Sequence, residues 1–210
     1  MGVSARRERE KQYRRDTILT AARDLFFAKG YRTTMEEIAE RCELSKGTLY
    51  LYFSSKDELY ISVIMEGFRL LEERMNSALA GAKGTEERVK AIYFSFIDHC
   101  MENREYFRIT QYFLTEDARE NTSDDLVDAI NGYTGELLEP GVRAIQEGIV
   151  GGEFREDLNA SDIALITWRM ATGILDLAIL EDEVDGRAGT YRELFETAIE
   201  TMLRGVRKQT

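Results

Sequence analysis

Apolar residues along this chain recur every three or four positions and almost nowhere alternate, which is the period of buried helix faces. Ile18, Ala22, Leu25 and Phe26 form a first stripe, in a helix predicted from near Glu8 to Lys29 with Gly30 as its C-terminal cap. Thr34-Met35-Glu36-Glu37 has the spelling of a capping box and opens a second helix carrying Met35, Ile38 and Ala39. The rhythm breaks from Arg41 to Leu44, and Ser45 caps a short helix expected over 46–53. Ser55-Lys56-Asp57-Glu58 is a second capping box, and its helix is expected to run to about Leu79, turning Leu59, Val63, Leu71, Met75 and Leu79 inward. Beyond Gly84 come a stripe from Val89 to Met101 and an aromatic cluster from Tyr106 to Leu114. From Ser123, apolar positions through Ile149 hold helical register across Pro140, where the missing backbone hydrogen bond predicts a kink or a break. Ile163 to Leu180 is apolar nearly all round, and Tyr191, Leu194, Phe195, Ala198, Ile199, Met202, Leu203 and Val206 close the chain with an unbroken stripe. One proline and the lack of alternating β-branched runs point to an all-α fold.

Two helices across a turn of three or four residues have the spacing of a helix-turn-helix, although a plain helical hairpin shares it. The 46–53 helix separates the two readings. At 100° per residue, Leu49 and Phe53 point inward toward Ile38, Ala39 and Leu44. Gly47 and Leu51 then point outward, flanked by Thr48 and Tyr50, with Lys46 at the start and Lys56 just past the end. A helix that only faces water more usually carries Glu and Lys there. A glycine inside a helix costs roughly 0.5–1 kcal/mol, which is explained if another backbone must approach closely. A DNA major groove fits that face, with Leu51 or Thr48 against a thymine methyl and hydroxyls and lysines on phosphates. The candidate DNA-contacting residues are Thr33, Thr34, Ser45, Lys46, Gly47, Thr48, Tyr50, Leu51, Tyr52 and Lys56. Thr33 and Thr34 stand at a helix N-terminus, a natural phosphate seat, and Ser55 and Lys56 repeat the device.

Gly30-Tyr31, Thr33-Thr34 and Ile38-Ala39, followed by Ser45-Lys46-Gly47-Thr48-Leu49-Tyr50, Tyr52-Phe53, Lys56 and Leu59, resemble the DNA-binding domain of the TetR family of bacterial transcriptional regulators. The resemblance covers about Asp16 to Ile64. It implies an N-terminal three-helix DNA-binding domain, here expected at 8–60, and a C-terminal helical domain at 61–210 that binds a small-molecule effector and dimerises. It also implies a homodimer on a palindromic operator. The helix opened by Ser55 crosses between these parts without a linker, so a shift behind would swing the recognition helix in front. The last two helices, near 161–182 and 188–206, are the expected dimer interface, as a four-helix bundle across a two-fold axis.

Charge sharpens this picture. The net −11 divides into 12 basic against 10 acidic residues over positions 1–60, and 16 against 29 beyond. Basic character is concentrated in Arg6, Arg7, Arg9, Lys11, Arg14 and Arg15, which suits phosphates as well as a solvated helix start. Seven aromatic residues fall between Tyr93 and Phe113. Core packing accounts for any one of them; as a group, with the resemblance, they point to an effector site including Tyr93, Phe96, Ile97, Cys100, Phe107, Tyr112, Phe113, Tyr133 and Trp168. An apolar or amphipathic effector such as an acyl chain suits that lining. His99, the one histidine, is expected at the surface or a pocket rim, and no metal site is spelled. Cys42 and Cys100 lie far apart, as reduced cytosolic thiols do. With no apolar leader, no phosphate loop and no nucleophile–base pair, the chain is expected to be cytoplasmic and cofactor-free; the resemblance implies a ligand-responsive repressor. The alternatives are an activator, an effector-independent regulator, or a small all-α enzyme using the aromatic middle as its pocket.

Overall fold

The computed structural model describes residues 2–112, 123–180 and 188–208, and among these it is helical throughout apart from turns and one isolated antiparallel bridge, Phe154 to Arg207. The helices are α1 (Gly2–Lys29), α2 (Met35–Arg41), α3 (Lys46–Tyr50), α4 (Lys56–Gly81), α5 (Thr85–Glu102), α6 (Arg104–Gln111), α7 (Asp124–Val150), α8 (Ala160–Leu180) and α9 (Ala188–Val206). A 3-10 turn, Gly30–Arg32, joins α1 to α2. The all-α fold is as the periodicity implies. Two compact units divide the chain: Met1–Phe68 with Glu105–Ile130, and Arg69–Arg104 with Asn131–Thr210.

In the first unit, local chemistry sets the helix ends. Gly30 takes φ +62°, the left-handed conformation that closes α1. Thr34 caps α2 in a complete capping box: its hydroxyl accepts from the Glu37 N–H while the Glu37 carboxylate accepts from the Thr34 N–H at 2.9 Å. The α2–α3 turn is a Schellman closure. The Glu43 N–H donates to the Glu40 carbonyl at 3.0 Å and the Leu44 N–H to the Ala39 carbonyl at 2.9 Å, with Glu43 at φ +55°. Ile18, Ala22, Phe26, Ile38, Leu49, Phe53, Leu59 and Tyr60 are wholly buried and form the core of this unit.

Residues 105–112 belong to this unit for visible reasons. The Tyr60 hydroxyl donates to the Ile109 carbonyl at 3.0 Å, and Tyr31 stacks on Tyr112. Tyr106 fits only because position 67 is glycine, where a Cβ would sit 2.7 Å from its ring.

Several sequence expectations are corrected. Helix α3 ends at Tyr50, not Phe53, because Leu51 and Tyr52 close a turn onto the Thr48 and Leu49 carbonyls. Helix α1 begins at Gly2, six residues before Glu8. The second capping box is split: Ser55 caps the Glu58 N–H at 3.0 Å, but the Glu58 carboxylate reaches back to Ser54. At Pro140, where a kink or a break is expected, there is no break, and the helix runs continuously from Asp124 to Val150.

In the second unit, α8 packs against α5 and α9. Val89, Ile145, Phe154, Ala164, Phe195, Ile199 and Leu203 are buried there. His99 is buried as well, not at a surface or rim, because α5 turns it toward Arg74 and Asn103. Burial, with Arg74 nearby, pulls its pKa below 6.5, while Glu102 pushes the other way.

Two measurements test these assignments. Glu43→Gly should stabilise the protein by about 0.5–1 kcal/mol in a denaturant titration, since the relief of left-handed strain outweighs the unfolded-state entropy that glycine adds; equal or lower stability would contradict it. For His99, the unfolded chain takes up the proton more readily than the folded one. Its contribution is therefore full above pH 6.5 and declines as pH falls toward the folded value. Stability should drop on acidification from neutral pH, and His99→Gln should flatten part of that drop; an unchanged profile would rule the histidine out.

Candidate nucleic-acid interface

The geometry of α3 follows from what it hides. Leu49 and Phe53 have no exposure at all, which fixes the rotation of the helix and leaves the opposite face outside. There Leu51 is 79 % exposed, Tyr50 43 % exposed, Lys46 and Gly47 are exposed, and Thr48 is half-buried. Ser45 caps the helix, its Oγ accepting from the Thr48 N–H at 3.1 Å and lying 2.8 Å from the Thr48 hydroxyl. A Cβ built at Gly47 would meet nothing nearer than Ser45 Oγ at 3.9 Å. Nothing among the described residues therefore requires a glycine there, although glycine weakens a helix.

The charged groups are less free than their positions suggest. Lys46 is ion-paired with Glu36 on α2; that pairing holds the ammonium pKa up and the carboxylate pKa down. Both are exposed, so a phosphate could displace the carboxylate at little cost. Lys56 is engaged inside the unit: its ammonium donates to the Tyr31 carbonyl at 2.8 Å and lies 3.6 Å from the Tyr31 ring centre. Burial pulls its pKa down, with Asp57 opposing. Tyr31 in turn donates to the Asp57 carboxylate.

Of the ten residues expected at DNA, the structure gathers Ser45, Lys46, Gly47, Thr48, Tyr50 and Leu51 on one outward face, with Tyr52 half-buried at its edge and Thr34 exposed at the start of α2. Thr33 does not join them. It is fully buried, and its hydroxyl donates to the Leu25 carbonyl at 3.1 Å. Lys56 serves first as a brace for Tyr31. Spacing does not reveal either role, since both depend on partners 8 and 25 residues away.

Arg15 belongs to the basic arm by sequence, and the structure gives it another task. Its guanidinium donates to the Tyr52 carbonyl at 2.8 Å, lies 4.0 Å from the Phe53 ring centre and comes within 3.7 Å of Glu58. It thereby pins α1 to the turn that ends α3. Charge alone carries no hint of that role; a basic residue one turn before the buried Ile18 is the available signal.

The residues expected at an effector are dispersed. Tyr93, Phe96 and Trp168 wall a cavity of about 10 Å³ with Met75, Ile92, Leu137, Leu138 and Gly141. The Phe96 and Trp168 rings lie 4.2 Å apart, tilted by 30°, and the Tyr93 hydroxyl donates to the Ala164 carbonyl at 3.1 Å. Ile97 lines a separate cavity of about 260 Å³ with Asp98, Met101, Ile174, Leu175, Ala178, Tyr191 and Arg192. Cys100 is buried and Tyr133 half-buried in the second unit. Phe107 and Tyr112 belong to the first unit, and Phe113 lies outside the described residues. Both cavities are smaller than the roughly 300–1,000 Å³ usual for ligand sites.

Comparison with known proteins agrees with the geometry. Residues 18–63 match the family described as bacterial regulatory proteins, tetR family. The chain is 28 % identical over 205 residues to YfiR of Bacillus subtilis, an uncharacterised HTH-type transcriptional regulator; the match spans 94 % of this chain and 96 % of YfiR. It is 28 % identical over 151 residues to the transcriptional repressor KstR2 of Mycolicibacterium smegmatis, spanning 70 % of each. The fold is similar to that of the fatty acid degradation regulator FadR of Bacillus halodurans, with a TM-score of 0.74, 21 % identity, and coverage of 91 % of this chain and 99 % of that one.

The clamp on the end of α3 has a measurable consequence. Arg15→Ala should destabilise the protein by about 1–2 kcal/mol, by removing a charged hydrogen bond and a cation over an aromatic ring. Its exposed neighbour Arg14, changed to Ala, should stay within about 0.5 kcal/mol of wild type. Equal effects of the two in a denaturant titration would refute the clamp.

Proposed function

We propose that this chain, whose residues 18–63 match the tetR family of bacterial regulatory proteins, is a transcriptional regulator of that family and acts as a dimeric repressor that reads a palindromic operator through α3 and is released by a small apolar or amphipathic effector. The observation that carries the reading is Gly47: exposed, unconstrained by the described residues around it, and flanked by Thr48, Tyr50 and Leu51. A groove wall against Gly47 would let the helix backbone come close enough for its neighbours to touch base edges.

Dimerisation is supported by the outer face of α8. Asp162, Leu165, Ile166, Arg169, Gly173 and Leu177 are exposed at successive turns, and Leu165 and Ile166 are 46 % and 58 % exposed. Leu194 on α9 is also exposed. The exposed Leu165, Ile166 and Leu177 of α8, interspersed with Asp162 and Arg169, give the kind of mixed face that a second copy covers. Repression follows the likeness to KstR2, named as a repressor. Effector binding falls to the second unit, whose described cavities include the two above; release then requires that the effector bind the non-operator state more tightly. No described helix is long and apolar enough to cross a membrane. The regulator reading itself places the protein in the cytoplasm, where it meets DNA.

The test begins with selection of a duplex from a random pool by the full-length protein. The selected site should be a pseudo-palindrome whose half-sites lie about 34 Å apart, or a multiple of that. Gly47→Ala should fold at least as stably as wild type and yet bind the selected duplex tenfold or more weakly. Undiminished binding by that variant would overturn the assignment of α3, and activation of a reporter in place of repression would reverse the sign.

A further inference from the structure

Residues 6–18 of α1 stand beside the α2–α3 turn and form one wall of an open groove of about 770 Å³. Arg6, Arg9, Glu10, Tyr13, Arg14 and Thr17 supply that wall, while Cys42 and Leu44 face them from the turn immediately before Ser45. Residues 5–14 are exposed without exception, and Tyr13 is 74 % exposed. This is helix, not a loose tail, and it carries Arg6, Arg7, Arg9, Lys11 and Arg14 against Glu8 and Glu10. Arg6 is paired with Glu10 at 3.2 Å, and the Arg9 guanidinium donates to the Ala5 carbonyl. Among the described residues, Arg7, Lys11 and Arg14 form no ion pair.

We infer that this groove is a second DNA-binding surface, in which a sugar–phosphate strand of the operator lies along α1 with Arg6, Arg9 and Arg14 on its phosphates. The inference rests on the regulator reading above and adds the partner of a surface that α3 does not use. Charge complementarity selects the occupant: positions 61–210 carry 16 basic against 29 acidic residues, so this cationic strip stands out against an acidic protein. Its position selects it again, since Leu44 and Cys42 join the groove directly to the cap of the recognition helix. From Arg6 to Arg14 the helix rises about 12 Å, enough to run beside more than one phosphate of a strand. Being helical already, the strip gives up little conformational freedom on binding.

The experiment uses the full-length protein with two probes, the selected operator duplex and a random-sequence duplex, titrated between about 50 and 200 mM salt. The triple variant Arg6→Gln, Arg9→Gln, Arg14→Gln should bind both at least tenfold more weakly at the lower salt. Its slope of log affinity against log salt should be shallower by about 0.9 for each phosphate no longer neutralised, about 2.7 per protomer. Glu10→Gln should act in the opposite direction, tightening both complexes severalfold by freeing Arg6 and removing a negative charge. Alkylation of Cys42 gives a separate readout, because it lines the groove while Cys100 is buried, and bound duplex should slow the reaction. If the triple variant keeps its affinity and slope while Gly47→Ala loses operator binding, the groove holds something other than DNA, such as an acidic protein; the inference then fails and the regulator reading survives. If the wild-type protein binds neither duplex, both fail together.

Discussion

The burial of Leu49 and Phe53 is the constraint on which the rest of the first unit depends. Leu49 lies on the inner side of a helix only five residues long, too short to hold its own conformation in water, and Phe53 follows just beyond its end. Packing therefore has to supply what propensity cannot. The Schellman turn at Glu43 aims the chain, Ser45 starts the helix, and Arg15 fastens its far end through the Tyr52 carbonyl and the Phe53 ring. With both ends fixed and one side buried, the outward presentation of Gly47, Tyr50 and Leu51 is forced. A surface meant to read base edges needs such preorganisation, since disorder in α3 would have to be removed at the moment of binding.

How much of this is legible in the residues depends on the range of the interaction. Capping at Thr34 and Ser45, and closure at Gly30, involve partners within about four residues, so residue types at fixed spacing announce them. The inward direction of Leu49 follows from helical period alone. Thr33, Lys56 and Arg15 escape such reasoning because tertiary partners claim them: a carbonyl of α1, the ring of Tyr31 and the turn after α3. A threonine or lysine bound inward is spelled the same way as one that faces a phosphate. His99 escapes it similarly, since an angle from Cys100 gives direction on the helix but not what stands opposite. The aromatic cluster misleads most. Tyr112 stacks on Tyr31 and Phe107 lies in the same first unit, so proximity in sequence to Tyr93 and Phe96 does not make one pocket.

Tyrosine chemistry runs through the first unit in a way the DNA-facing residues alone would not suggest. Tyr31, Tyr60 and Tyr106 are buried, and their hydroxyls meet Asp57, the Ile109 carbonyl and the Arg23–Glu66 pair. Burial with Glu66 close by pushes the Tyr106 pKa up to about 12, so it remains a neutral donor at physiological pH. Satisfied hydroxyls of this kind specify one arrangement, because any slip leaves a buried polar group without its partner. The glycine at position 67 completes the fit by letting the Tyr106 ring lie against the α4 backbone. Thus α6 is held to the first unit by directional bonds as well as by apolar area.

The division of charge gives these features a common physical sense. A uniformly acidic chain would be repelled by a duplex, whereas a uniformly basic one would bind any sequence tightly and read little. Here cations are concentrated at the front of α1, and Lys46 at the start of α3 carries its own counter-ion in Glu36. Meeting a phosphate there exchanges one pairing for another and does not satisfy an empty charge, which keeps the gain small. On the function proposed above, discrimination then falls to the short-range fit of Gly47, Thr48, Tyr50 and Leu51 against base edges, where a wrong sequence leaves groups unpaired. The groove beside α1 adds attraction without adding sequence readout, so on these grounds its removal weakens specific and random duplexes alike, while the removal of Gly47 separates them.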